Sequence, residues 1–202
     1  MDATELRETH PEDLLIAEDL EEYKKRRRAI WNQLVHLDTK TNVLRRINES
    51  ALERPMSEAA NSRVFWAQCS QALFDSVVLY AYRITRDTSQ NRERSKRLHC
   101  LEKFRKVMNQ RLLPRDYRSA YDSILAGASY SEDERDVLER IESTRHRGTA
   151  HLSDLVVEGE IGNPDMWIPV DELGLAVDAI VRRFNAVCLR DVPFERGRYY
   201  PA

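Results

Sequence analysis

Apolar residues recur every three or four positions along most of the 202-residue chain, which is the period of amphipathic α-helices. In the first long segment this spacing is kept by Leu20, Tyr23, Ile30, Leu34, Leu37, Leu44 and Ile47. We predict one helix from about Pro11 to Asn48, with Arg27 and Thr41 interrupting its apolar stripe. Only 6 Gly and 7 Pro are present, too few for a turn-rich β fold. The sequence therefore predicts an all-α protein.

The central part of the chain continues this pattern. Arg54-Pro55 separates the first helix from the next, and a second, core helix is predicted from about Ser57 to Thr85. Its apolar positions are Trp66, Cys69, Leu73, Val77, Tyr80 and Ile84. The polar stretch 87–95 is predicted as a loop. A third helix should end at Pro114, with Leu98, Leu101, Phe104, Met108 and Leu112 on one side, and a short segment closed by Gly127 follows it.

The last third predicts two more helices around an irregular segment. Ser131 and Glu134 have the spacing of a capping box, which would open a helix that carries Val137, Leu138 and Ile141 inward. Residues 155–170 read as a loop, with a β-like piece at Leu155–Glu158. Asp171 is predicted to cap a closing helix. Its inward positions are Leu173, Val177, Ile180, Phe184 and Val187.

These elements predict a bundle of four to five helices over residues 15–190, with a short irregular or β-like loop before the last helix. Residues 1–14 form an acidic N-terminal extension. Residues 191–202 form a C-terminal tail without periodicity, which we expect to be mobile.

Charge is distributed unevenly along the chain, although the formal net charge is only −2. Residues 1–22 carry nine acids and one base, whereas residues 83–118 carry twelve bases and four acids. The second stretch is either an RNA track or an ordinary solvated surface. The basic run 24–28 is interpreted as a solvated helix face rather than an RNA patch, because Glu21–Lys25 and Glu22–Arg26 can pair along the helix.

Cysteine usage and the absence of targeting signals point to a soluble cytoplasmic protein. Cys69, Cys100 and Cys188 have neither zinc-site nor redox-motif spacing, and the odd count suits reduced thiols. The acidic N-terminus lacks a signal-peptide core, and the apolar run 77–82 is too short to span a membrane. No glycine-rich phosphate loop or metal motif is found. We therefore expect no cofactor, no metal and no membrane partner.

One chemical motif remains, the heptapeptide RHRGTAH at residues 145–151. It resembles the signature of the HEPN superfamily, an arginine followed by a polar residue and, after four to six intervening positions, a histidine. The tighter form, with alanine before the histidine, resembles the AbiU2-like branch linked to phage abortive infection. Arg145, His146, Ala150 and His151 match it, although His146 departs from the more usual Asn, Asp or Lys.

The context of the heptapeptide supports the resemblance. Arg92 and Arg94 with His99, and Arg140 with His146, also satisfy the loose spacing. Only the 145–151 copy ends a capped amphipathic helix and precedes a loop and a closing helix. The resemblance covers roughly residues 15–190, with close identity confined to the heptapeptide.

The motif suits metal-independent cleavage of RNA. Histidine titrates near neutral pH and can move a proton at the 2′-hydroxyl or the leaving oxygen. The planar guanidinium of arginine can grip two phosphate oxygens. His151 is thus the candidate general base or acid and Arg145 the candidate phosphate clamp. His146 and Arg147 are candidates for secondary phosphate contacts.

Helix geometry constrains how the two residues act together. Six positions separate Arg145 from His151 by about 9 Å along a helix and about 120° around it. They would converge on one phosphate only if the helix loosens at Gly148, or if a two-fold axis brings two motifs together. The resemblance implies a homodimer with a composite cleft.

The family resemblance also implies a toxin or abortive-infection effector and a possible nucleotidyltransferase-type antitoxin as partner. Three functions stay open: a ribonuclease, a non-catalytic HEPN module that binds RNA or a protein, and a plain helical dimerisation protein. In the last, Arg145 would pair with Glu139 or Glu142 and His151 would bond a carbonyl at the helix end.

Overall fold

The computed structural model describes residues 2–53, 60–85, 100–150, 168–190 and 192–198, with backbone alone at 51–53, 60–64 and 146–150. These residues form eight α-helices and a π-helical turn, with no strand among them. The helices are α1 (Ala3–Glu8), α2 (Pro11–Leu14), α3 (Ala17–Glu53), α4 (Ala60–Thr85), α5 (Leu101–Val107), α6 (Arg115–Gly127), α7 (Glu132–Ala150) and α8 (Val170–Val187). The π-helical turn, Met108–Leu112, extends α5. The all-α prediction is confirmed. The β-like piece at Leu155–Glu158 lies outside the described residues.

The predicted first helix is two helices. The chain leaves the helical conformation at Leu15, where φ is −106° and ψ is 137°. This turn buries the Leu15 side chain and leaves Ile16 exposed. From there α3 runs without a break to Glu53. Thr41 lies on its buried face, and its hydroxyl donates to the Leu37 carbonyl at 2.8 Å, which satisfies the polar group inside the core.

Helices α3, α4, α7 and α8 share one hydrophobic core with α5 and α6. Helices α3 and α4 are antiparallel, since His36 lies beside Tyr80 and Lys40 donates to Ser76 four residues further along α3. Helix α8 also runs antiparallel to α3, because Phe184 packs against Trp31 whereas Gly174, ten residues earlier, lies beside the side chain of Arg45. None of the described helices combines the length and the apolar character needed to cross a membrane.

Helix α4 buries a wider face than the one predicted. Of the predicted apolar positions, only Val77 and Ile84 are fully buried. The other buried positions are Phe74, Val78, Ala81 and Tyr82. The reason is that α4 packs against both α3 and α7, so it covers a wider arc than one stripe. The wider arc includes Tyr82, whose ring meets Arg145 of the motif helix.

The N-terminal ends of α7 and α8 were predicted from local signals, with different outcomes. The capping box is confirmed: the Ser131 amide donates to Glu134 at 2.8 Å and the Glu134 amide donates to the Ser131 hydroxyl at 3.3 Å. The predicted cap at Asp171 is wrong, because Pro169 is the N-cap of α8 and Asp171 lies in its first turn. A proline there needs no amide partner, and Asp171 still favours the positive end of the helix.

The C-terminal segment packs onto the bundle instead of lying free. Phe194 is buried and meets Trp31 with ring centroids 5.0 Å apart. Arg196 bridges Asp38 on α3 and Asp178 on α8, both at 2.8 Å. The expectation of a mobile tail is therefore wrong for residues 192–198. Local periodicity could not reveal these contacts, because they join residues far apart in the chain.

Candidate functional site

The motif lies at the C-terminal end of α7. Arg145 is the last residue of that helix whose side chain is described. His146, Arg147 and Ala150 belong to its last turns, with only their backbone described. His151 follows the helix directly and lies outside the described residues.

The guanidinium of Arg145 lies over the ring of Tyr82 on α4. The guanidinium carbon is 4.8 Å from the ring centre, within the range of a cation–π contact. Tyr82 is only 3% exposed, so its ring is a fixed surface supplied by the core. Arg145 itself is partly exposed. The contact orients the plane of the guanidinium.

Tyr82 was missed as a site residue by sequence reasoning. In the sequence it stands out only as the last residue of the apolar run 77–82, which is too short to span a membrane. The available signal was an aromatic residue near the end of the helix expected to form the core. Nothing in the sequence indicated which face of that helix would meet the motif.

Helix α7 stays helical through Gly148 to Ala150. The route in which the helix loosens at Gly148, so that Arg145 and His151 of one chain converge, is therefore not the one observed in the described backbone. A separation of about 9 Å along the axis and about 120° around it remains the expectation for residues six apart.

Arg140, which also satisfies the loose motif spacing, has a structural role. It forms ion pairs with Asp136 on its own helix, at 3.3 Å, and with Glu172 on α8. These contacts tie α7 to the closing helix. The competing pairs of Arg92 and Arg94 with His99 lie outside the described residues.

The opposite end of α7 is held by an ion pair. Both oxygens of Glu134 accept from Arg182 on α8, at 2.8 and 2.6 Å. Bonding to Arg182, together with the Ser131 amide, lowers the pKa of Glu134 to about 2 despite its burial. This end of the helix is thus clamped by charges that cancel.

The basic stretch 83–118 is described at residues 83–85 and 100–118. Four of its cations are engaged within the fold there. Arg105 and Lys106 pair with Glu102, and Arg111 pairs with Asp19. Arg118 donates to the backbone carbonyls of Leu113 and Gln110. In this part the stretch therefore has the pairings of an ordinary solvated surface.

No group of three or more potential metal ligands comes together among the described residues. The three cysteines are free and lie apart: Cys100 is buried, and Cys69 and Cys188 are partly buried.

Comparison with known proteins gives one result. The chain matches the AbiU2 family, HEPN_AbiU2, over residues 20–190. This range runs from the first turn of α3 to just beyond α8 and includes the whole heptapeptide. Neither the comparison with curated proteins nor the comparison with solved structures found a match. Because the matched range covers most of the chain, this protein belongs to the AbiU2 family of HEPN proteins.

Proposed function

We propose that the protein is a metal-independent endoribonuclease that acts as a toxin or abortive-infection effector. Two observations support this proposal. Arg145 is held on the buried ring of Tyr82, six residues before His151 in the sequence, and the chain belongs to the AbiU2 family. A fixed guanidinium is suited to grip a phosphodiester, because its orientation need not be acquired on binding.

The chemistry would proceed by attack of the RNA 2′-hydroxyl on the adjacent phosphorus. His151 takes or delivers the proton, and Arg145 stabilises the charge on the non-bridging oxygens. The P–O5′ bond breaks, leaving a 2′,3′-cyclic phosphate and a 5′-hydroxyl. DNA lacks the nucleophile, so the activity would be specific for RNA. His146 and Arg147 would add secondary phosphate contacts.

We further propose that the site is composite and forms in a homodimer. The unbroken helix through Gly148 supports this arrangement, since residues six apart on a continuous helix are separated by about 9 Å along the axis and about 120° around it. A two-fold axis near the end of α7 would place the arginine of one chain opposite the histidine of its partner. A nucleotidyltransferase-type antitoxin remains the proposed neutralising partner in a cytoplasmic setting.

The proposal is tested by incubating purified protein with mixed RNA in EDTA. Wild type should cut, leaving 2′,3′-cyclic phosphate ends, and the variant Arg145→Ala/His151→Ala should not. The matched control is Arg46→Ala/His36→Ala, which removes the same residue types from the exposed face of α3 and should cut like wild type. Equal cleavage by all three proteins would trace the activity to a contaminant and reject the proposal.

The alternative, a non-catalytic HEPN module that binds RNA or a protein, gives a different pattern. RNA would bind without being cut, and His151→Ala would not change the affinity. In cells, growth arrest by the wild-type chain that is relieved by His151→Ala would favour the ribonuclease.

A further inference from the structure

The basic run of α3 does not behave as a simple row of paired charges. Arg26 pairs with Glu22 at 2.6 Å, as the spacing predicted. Glu21 and Lys25, both described, form no such pair. Pairing with acids one turn earlier on α3 therefore accounts for Arg26 but not for the other cations of the run.

A groove opens along this part of α3, with a volume of about 420 Å³. Its lining residues are Lys24, Arg27, Arg28, Trp31 and Asn32, and we call it the α3 groove. Three of these five described residues are cations, and none of the five is a carboxylate. In a chain with a net charge of −2, such a local concentration of one sign attracts anions, because the field at a surface depends on nearby charges.

The groove contains a rigid aromatic unit. The Trp31 ring packs edge-on against Phe184 and Phe194, at 6.1 and 5.0 Å. The guanidinium of Arg27 stacks on Trp31 at 4.9 Å and donates to the carbonyl of Val192 at 2.6 Å. Arg27 is thus a flat, fixed cation, of the kind on which nucleobases stack.

Two cations of the groove remain available to a ligand. Arg28 is exposed and forms no ion pair among the described residues. Lys24 meets Glu12 at 3.2 Å, but both side chains are at least half exposed. A pair of that kind is worth at most about 1 kcal/mol, so a phosphate can displace the glutamate.

Measured along the α3–α4 pair, the α3 groove and the Tyr82–Arg145 contact lie on the same side of the contact between His36 and Tyr80. His36 and Tyr80 mark the contact between these antiparallel helices. Trp31 precedes His36 by five residues, about 7.5 Å along the axis, and Tyr82 follows Tyr80 by about 3 Å. Along α8, by contrast, Phe184 beside Trp31 lies two residues from Arg182, which bonds Glu134 at the opposite end of α7 from Arg145. The groove and the motif are therefore separate surfaces.

We propose that the α3 groove binds the phosphodiester backbone of single-stranded RNA, away from the Arg145–His151 motif. Lys24 and Arg28 contact phosphates, the Arg27–Trp31 stack supports a base, and Asn32 meets a polar base edge. Cations combined with flat stacking surfaces are typical of single-strand binding. That the strand is RNA rests on the proposed function, whereas the existence of the groove does not.

Binding is measured by fluorescence anisotropy with a short labelled 2′-O-methyl RNA, which has no free 2′-hydroxyl and so is not cut by the proposed reaction. Lys24→Ala/Arg28→Ala should raise Kd at least about tenfold at about 50 mM salt. It should also reduce the slope of log Kd against log salt by about 1.4, since each lost phosphate contact removes about 0.7. Both side chains are exposed, so folding should be unaffected.

The control is Arg46→Ala/Arg135→Ala, which removes two exposed cations outside the groove from α3 and α7. It should bind like wild type. An equal rise in Kd for both variants would show that only the net charge matters, and it would overturn the proposal. So would binding of the wild type to anionic phospholipid vesicles but not to RNA, or no binding to either at low salt.

The outcome is separable from that of the proposed ribonuclease. A wild-type protein that binds RNA through the groove but never cuts it would reject the ribonuclease and leave the groove. If the wild type cuts RNA and the groove variant binds RNA as tightly as the wild type, the groove proposal is rejected and the ribonuclease proposal stands. If both proposals are correct, the groove variant should raise KM and leave kcat nearly unchanged.

Discussion

The two ends of α7 hold an arginine in opposite ways. At the N-terminal end, Arg182 bonds both oxygens of Glu134, and the two charges cancel within the fold. At the C-terminal end, the guanidinium of Arg145 lies on the face of Tyr82, a contact that fixes its plane through an uncharged ring. The first arrangement serves stability and the second serves orientation of a cation. Substitutions at the two ends should therefore change different quantities.

The largest contrast is expected from Arg145→Ala. Removing the proposed phosphate clamp should lower kcat for RNA cleavage by about 100-fold or more. The free energy of unfolding should change by only about 1 kcal/mol, the typical value of a partly exposed cation–π contact. Cleavage assays and urea denaturation on the same preparation give both numbers. Arg145→Lys, which keeps the charge but loses the planar fork, should fall between alanine and wild type. Unchanged cleavage by Arg145→Ala would show that Arg145 does not act as a phosphate clamp.

Low pH should weaken the ion pair at the N-terminal end of α7 and so lower the free energy of unfolding. The pKa of Glu134 is about 2, below its ordinary value near 4.5, so its charged form stabilises the folded state at neutral pH. This contribution, about 3 kcal/mol, is present above pH 4.5 and is lost as pH falls toward 2.

Denaturation of wild type and Glu134→Gln at pH 6 and pH 3 isolates that contribution. Wild type should lose about 2 kcal/mol more than the variant between these values, because the glutamine does not titrate. Parallel losses in the two proteins would show that the ion pair is not the acid-sensitive contact.

A slightly smaller effect is expected from Arg182→Ala. The variant leaves the buried Glu134 carboxylate with the Ser131 amide alone. We expect a loss of about 2 kcal/mol in unfolding free energy, less than for a fully buried pair since the Arg182 side chain is 44% exposed. The RNA cleavage rate per folded molecule should match wild type. A selective loss of activity would mean that the two ends of α7 are coupled.

The capping box and the inward face of α8 were predictable from sequence because both depend on residues within one or two helical turns. All five residues predicted on that face are buried. The burial of Phe194 and the ion pair of Arg196 with Asp38 were not predictable, since the partners, Trp31 and Asp38, are more than 150 positions away.

The candidate site shows the same division. Arg145 and His151 were found from spacing and resemblance, because a motif is local. Tyr82 was not found, since its role depends on the width of the buried face of α4, which packing against both α3 and α7 decides. Sequence could therefore supply the chemical group of the site but not the surface that orients it.

The smallest effect, and the sharpest test of the comparison, is expected at Tyr82. Tyr82→Leu removes the ring under Arg145 and should lower kcat about fivefold to tenfold, the equivalent of about 1 kcal/mol. Tyr82→Phe keeps the ring, so its kcat should equal that of the wild type. Leucine at this buried position also leaves a cavity, so the rates are compared well below the melting temperature of each variant. In an Arg145→Ala background, Tyr82→Leu should have no further effect on kcat, because there is no guanidinium left to orient. Additive losses would assign Tyr82 to the core alone, and the C-terminal end of α7 would then owe the orientation of its arginine to another contact.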